Sequence, residues 1–356
     1  MPNKESDMLM KYRIKKKAKN LFIFVAVLFM TACKNQVTGE TQSTLETKQD
    51  FVRDAQVEIV DDITPSYEIS NEEVTIEYKG NFFRKSVFCA GGESIYICGV
   101  KPEDGSYFIG GMLREDNKFY EFSIEIPDDM RILNMTVDNQ ERCHMLLMST
   151  EKIRINDEEL DQITYKTSDI WIINKDGSLE KKIDVSGVFA KEKRRPFCFT
   201  IDYEGNYYFE SQKEIIKLCP DGSFDMRLSC GEEIEAVGCG RSGEIYYIYR
   251  NEEGIDMLGM LQEDSTADIQ IELPDVGTQY SLLSAGTDTE VFIYNIDGGI
   301  YTYESDADTV ELRVPISELP VSGESAINSG FLGDGRLCLM VYEGEKIVFY
   351  YIPVGK

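Results

Sequence analysis

From residue 86 onward the chain repeats one pattern. A short run of alternating apolar and polar positions meets a tight turn of Gly, Asn or Asp, and a second such run follows. The pattern recurs at 86–100 (SVFCAGGESIYICGV), 133–149, 196–211 (PFCFTIDYEGNYYFES), 235–250, 281–295 and 327–343. Apolar runs split by such turn residues predict β-hairpins. A second hairpin pattern follows each first one, at 106–126, 169–185, 214–230, 255–273 and 299–314; the last copy, 345–353, is only half a hairpin.

Six units of about four strands, spaced roughly 40 to 60 residues apart, predict an all-β protein and specifically a six-bladed β-propeller. The last unit lacks an outer strand, and EEVTIEYKGNF (72–82) stands ready upstream to supply it. Pairing the two would close the ring and remove an exposed sheet edge. Seven blades, or another all-β repeat such as a sandwich or solenoid, are the alternative architectures. Helical periodicity is nearly absent: Asp157 to Gln162 could form one turn at most, inside a long loop expected from Thr150 to Ser168.

The repeated turn Asp-x-x-Gly-x-aromatic, best seen at Asp202-Tyr-Glu-Gly-Asn-Tyr-Tyr, resembles that of six-bladed NHL-like bacterial propellers over residues 72–356. The resemblance speaks for fold and barely for function. Such propellers also occur in exported lipoproteins ahead of a transporter's solute-binding domain, so it implies a role beside a transporter.

The first thirty residues read as an export signal and not as part of the fold. Lys11 to Lys19 (KYRIKKKAK) is a cationic stretch, followed by ten apolar residues, Leu21 to Met30. A membrane span needs about 20. Met30-Thr31-Ala32-Cys33 then resembles the bacterial lipobox, with Met where that family prefers Leu. The resemblance implies cleavage after Ala32, lipidation of the Cys33 thiol, and a chain held at the extracytoplasmic face of the cell membrane. Met8 or Met10 is a candidate true start. The expected organisation is a signal peptide over 1–32, a flexible polar tether over 33–54 and a propeller domain over 55–356.

Charge narrows the function. The chain carries −27, and the seven basic and two acidic side chains of residues 1–32 make the remainder more acidic still. Such a field repels nucleic acid and anionic lipid, so direct polyanion binding is excluded.

Candidate chemistry is sparse. His144 is the only histidine, on the apolar stretch Cys143-His-Met-Leu-Leu, and reads as a packed residue. One histidine excludes propeller metal sites built from several. One Trp, at 171, excludes the repeated Trp of quinoprotein propellers, and neither a Gly-x-Ser-x-Gly elbow nor a sialidase box occurs. No cofactor, metal ligand or catalytic residue is therefore assigned. Eight cysteines follow Cys33 without a CxxC pair. They read as buried apolar thiols and suggest a reducing habitat; Cys219 and Cys230 are the pair to test for a disulfide. The acidic pairs Asp202/Glu204 and Asp306/Asp308 read as turn residues before calcium ligands.

One basic run breaks the acidic pattern: Lys191-Glu-Lys193-Arg194-Arg195, flanked by Phe189 and Phe197. It should share one face of the ring with the 150–168 loop, and connections on that face commonly carry function. Phe189, Lys191, Lys193, Arg194 and Arg195 are accordingly the expected partner-binding residues. The function expected is a non-enzymatic envelope module that docks a protein, peptide or glycan. The alternative is an envelope hydrolase or lyase using two carboxylates at the ring's channel.

Overall fold

The computed structural model describes residues 75–77 and 87–353, apart from 101–105, 114–117, 155–160, 190–195, 197, 230–232, 241–242, 262–266, 278–279, 286–289, 296, 306–307, 320–326, 332–335 and 344–345. All described residues lie in the compact unit Ala55–Lys356. They form a nearly all-β propeller of small antiparallel sheets, each of four strands.

A short strand, β1 (Thr75–Glu77), comes first. Sheet one holds β2 (Val87–Ala90), β3 (Ser94–Val100), β4 (Tyr107–Leu113) and β5 (Lys118–Glu121). Sheet two holds β6 (Met130–Val137), β7 (Cys143–Arg154), β8 (Asp161–Ile173) and β9 (Leu179–Asp184). A four-residue helix, α1 (Ser186–Phe189), leads to sheet three: β10 (Phe199–Ile201), β11 (Tyr207–Ser211), β12 (Glu214–Leu218) and β13 (Phe224–Ser229). Sheet four is β14 (Glu233–Cys239), β15 (Ile245–Arg250), β16 (Asp256–Leu261) and β17 (Ala267–Glu272). Sheet five is β18 (Tyr280–Ala285), β19 (Glu290–Asn295), β20 (Gly299–Glu304) and β21 (Thr309–Pro315). Sheet six has three strands in sequence: β22 (Ile327–Phe331), β23 (Arg336–Glu343) and β24 (Lys346–Pro353). Its fourth strand is β1, antiparallel to β24 with Ile76 opposite Ile347. That strand falls inside the segment 72–82 from which the sequence predicts it.

The core is divided among the seams between sheets. In β7, Cys143, Met145 and Leu147 pack toward sheet one, while Leu146 and Met148 pack toward sheet three. Both faces of the sheet are thus buried, which is why its second strand reads as a nearly unbroken apolar run. The same division recurs around the ring. Phe292 and Tyr294 of sheet five meet Leu337 and Leu339 of sheet six. Cys338, Met340, Phe349 and Tyr351 of sheet six then meet Phe88, Ile95 and Ile97 of sheet one. The first strands β2, β6, β10, β14, β18 and β22 lie side by side in a closed circuit.

Two sequence expectations are corrected. The segment from Thr150 is not an open loop: Thr150 pairs with Tyr165, and the pairing runs on to Arg154 opposite Asp161. β-Branched and aromatic positions (Ile153, Ile163, Thr164, Tyr165) favour that ribbon, and a register shift at Met148/Thr150 marks where it leaves the sheet. For the same reason Asp161 and Gln162 are strand and not helix; residues 157–160 lie outside the described residues.

Candidate functional site

In an antiparallel four-strand meander, the connections between strands one and two and between three and four emerge at one end. Those between strands two and three, and between sheets, emerge at the other. At the first end several turns share one design. In 138–142, 174–178, 202–206, 219–223 and 240–244, the first residue's N–H donates to the fifth residue's carbonyl, and the fourth residue's N–H donates to the first's. This three-residue loop needs its fourth residue in the left-handed region. Gly177, Gly205, Gly222 and Gly243 supply it; in the second sheet's first turn the residue is Glu141, at φ 64°.

A non-glycine residue there is strained, and its side chain reaches into sheet one. The Glu141 carboxylate accepts hydrogen bonds from the backbone N–H of Gly92 (2.6 Å), Glu93 (3.1 Å) and Ser94 (3.0 Å) and from Ser94 Oγ (2.6 Å). Its own carbonyl accepts from the Tyr96 hydroxyl at 2.6 Å. Gly91 leaves room for this strap: a Cβ there would lie 2.5 Å from Glu141 Oε2 and 2.7 Å from Val137 Cγ1.

The neighbouring seam is tied by a buried polar line. His144 Nε2 is 2.9 Å from Asp138 Oδ2, and His144 Nδ1 is 3.0 Å from the Tyr207 hydroxyl of sheet three. With Nε2 protonated, His144 donates to Asp138 and accepts from Tyr207. Arg142 Nε donates to the same Asp138 oxygen at 2.7 Å, and its guanidinium pairs with Glu180 at 2.9 Å. Burial alone would raise the Asp138 carboxyl; hydrogen bonds from His144 and Arg142 outweigh it and hold the group at about 2. Burial pushes the Tyr207 phenol upward, so it stays neutral. These groups satisfy one another and join sheets two and three.

Beside Glu141, an open cleft of about 650 Å³ lies between the outer parts of sheets one and two. Met112, Tyr96 and Phe122 line it together with the half-exposed Tyr120, at 47% accessibility. Phe122 is wedged between glycines: a Cβ on Gly111 would lie 2.6 Å from its ring, and one on Gly177 2.4 Å. The polar margin is Ser94, Glu121, Ser123, Lys175, Asp176 and Ser178. Lys175 pairs with Glu93 at 3.0 Å. The Ser178 hydroxyl and N–H both donate to Asp176, lowering its pKa and keeping it charged. Of the exposed large apolar residues, Leu179, Tyr203 and Phe224 sit in or directly beside turns at this end, while Tyr120 lies within β5 opposite Gly111.

Of the site residues that the sequence predicts, only Phe189 is among the described residues, and it does not line the cleft. Phe189 closes α1 and is buried, its ring edge-on to Phe209 at 5.0 Å, so it is a core residue and offers no surface to a partner. Lys191, Lys193, Arg194, Arg195 and Phe197 lie outside the described residues, as do Ala32, Cys33 and Asp306. Asp202 is a turn residue, accepting from the N–H of Glu204 and Asn206 and from the Tyr208 hydroxyl. Cys219 carries no disulfide and Cys230 lies outside the described residues. A carboxylate pair exists at Glu290 and Glu304, but Arg313 bridges them at 3.2 and 2.6 Å and donates to Thr302 as well, which makes a structural ion triad. Among the described residues no group of three or more His, Cys, Asp or Glu is placed to hold a metal. Sequence reasoning passed over the cleft because Tyr120 and Phe122 read as strand residues and 174–178 as a plain turn. Glu141, standing where the turn calls for Gly, was the available signal.

In sequence the chain matches no protein-family model and no curated protein. In structure it is similar to the WD40 domain of Toxoplasma gondii coronin, with a TM-score of 0.51 and 9% identity over 82% of this chain and 86% of that one. It is also similar to a chain of the mitotic checkpoint complex, with a TM-score of 0.50 and 10% identity over 90% of this chain and 99% of that one. Likeness at such identities shows the propeller fold and nothing of function.

Proposed function

We propose that the chain is a lipid-anchored, non-enzymatic docking module of the bacterial cell envelope, whose six-bladed ring captures a peptide segment bearing a basic side chain. The observation that carries the binding half is the cleft between sheets one and two: aromatic walls with an acidic margin. Aromatic faces and carboxylates together favour an ammonium or guanidinium group, and the chain's net charge draws such a ligand in. Glu121 and Asp176 face the space, while Lys175 is already paired with Glu93. The polar groups in the neighbouring seams, Asp138, Arg142, His144 and Glu141, are engaged in holding sheets together.

The anchoring half rests on the lipobox-like Met30-Thr31-Ala32-Cys33 behind a cationic and then apolar leader. The NHL-like resemblance, and with it a place beside a transporter, rests on the repeated turn. Metabolic labelling with a radioactive fatty acid tests the anchor: label on the native chain and none on Cys33→Ser is the expected result.

For the cleft, the full chain is titrated with a fluorescent Arg-containing hexapeptide, its Glu counterpart and a neutral oligosaccharide. The Arg peptide should bind with an affinity that falls as salt rises, and Tyr120→Ala should weaken it roughly three- to tenfold. Binding of all three probes alike, or an Arg peptide indifferent to Tyr120→Ala, would overturn the reading.

A further inference from the structure

The seam beneath the cleft holds a feature that ligand recognition does not use. Cys89 on β2 and Cys143 on β7 face each other across sheets one and two, with their sulfurs 3.9 Å apart. Both are buried, Cys143 completely, and Cys98 lies in the same apolar cluster. No disulfide links any of the described cysteines. A disulfide needs its sulfurs at about 2.05 Å, so a shift of about 2 Å separates this contact from a bond. The seam is also held from above, because Tyr96, opposite Cys89 in the β2–β3 register, donates to the Glu141 carbonyl.

We infer that Cys89 and Cys143 are a latent cross-link, a thiol pair that closes to an inter-sheet disulfide when the chain meets an oxidising small-molecule disulfide. The chemistry is thiol–disulfide exchange. The Cys89 thiolate attacks the external disulfide, forming a mixed disulfide and releasing one small thiolate. The Cys143 thiolate then attacks the Cys89 sulfur, closing the protein bond and expelling the second small thiolate. The two protons lost by the cysteines end on the two small thiols; two protein thiols are oxidised and one external disulfide is reduced.

Cys89 is the entry point because it is the nearer to solvent. Burial pushes the Cys143 thiol well up, and the hydrogen bond with Cys89 adds to this. The second step therefore waits on opening of the seam. Exchange is slow in the resting fold and quickens when the two sheets part. The inference is independent of the ligand assigned to the cleft and survives if that assignment fails.

The test uses the full chain, purified with reductant and then incubated with oxidised glutathione at graded ratios. Acid quenching, alkylation and digestion without reductant precede mass spectrometry. The expected result is a Cys89–Cys143 linked peptide as the principal disulfide, with two fewer alkylated cysteines per chain. The thermal midpoint should rise by about 5 °C, because the bond closes a loop of more than fifty residues, and should return on adding reductant. Cys98→Ala should leave the link intact. A link captured by Cys98, arrest at a Cys89–glutathione adduct, or no reaction at either thiol while the chain stays folded would each overturn the inference. Because the decisive mapping is made on the unmutated chain, poor folding of a variant cannot mask the outcome.

Discussion

Asp138 illustrates how far one side chain can depart from its usual chemistry when its partners are fixed. Desolvation alone would raise its pKa, yet hydrogen bonds from His144 and from the Arg142 backbone and guanidinium bring it down to about 2 from an ordinary 3.8. A carboxyl held lower in the folded chain than in the unfolded one contributes stability that is complete above about pH 5 and lost as pH falls toward 2. The shift corresponds to about 2 kcal/mol at most, less where solvent screens the pair. Urea unfolding followed between pH 5 and 2 should therefore show a shallower loss of stability in Asp138→Asn than in the native chain. Equal slopes would mean that Asp138 is not the group responsible. The sole histidine takes its part here as a buried partner, in keeping with the packed role expected from its apolar strand.

At the scale of elements, the turn 138–142 serves two sheets at once. Glu141 accepts the strain of a left-handed backbone, and its carboxylate receives four hydrogen bonds from the turn of sheet one. Removing the side chain while keeping a Cβ loses the bonds and retains the strain. Glu141→Ala should cost about 2–3 kcal/mol. Glu141→Gly loses the same bonds but relieves the backbone, so it should be milder by about 1 kcal/mol. Chemical denaturation of both variants beside the native chain decides the point: if neither loses stability the strap contributes little, and if Ala is tolerated as well as Gly the left-handed backbone costs little. Phe122 shows the same economy in apolar form, since its ring occupies space that only Gly111 and Gly177 leave open.

For the molecule as a whole, the question is how the first and last sheets meet. β1 supplies the outer strand of sheet six, and seam clusters continue from sheet six into sheet one. Deleting Thr75–Glu77 should expose the β24 edge, lower the thermal midpoint by several degrees and produce dimers or larger species on size-exclusion chromatography. A monomer of unchanged midpoint would show that β1 pairing is dispensable.

The sequence by itself determined the strand-turn-strand repeat, the spacing of its units and the identity of the closing strand, because these follow from local periodicity and turn residues. It also marked the turn sites: Asp202-Tyr-Glu-Gly205 and Asn174-Lys-Asp-Gly177 behave as their residue types require. What it could not contain is which faces of neighbouring sheets touch. The cleft beside Phe122, the reach of Glu141 across to Gly92, the line from Asp138 through His144 to Tyr207 and the Cys89–Cys143 contact all join residues dozens of positions apart. Phe189 marks the same boundary: beside a basic run it read as surface, and only the packing of α1 on sheets two and three makes it core. Periodicity assigns a side chain to a face of its own strand, whereas the partner across a seam is decided by the closing of the ring.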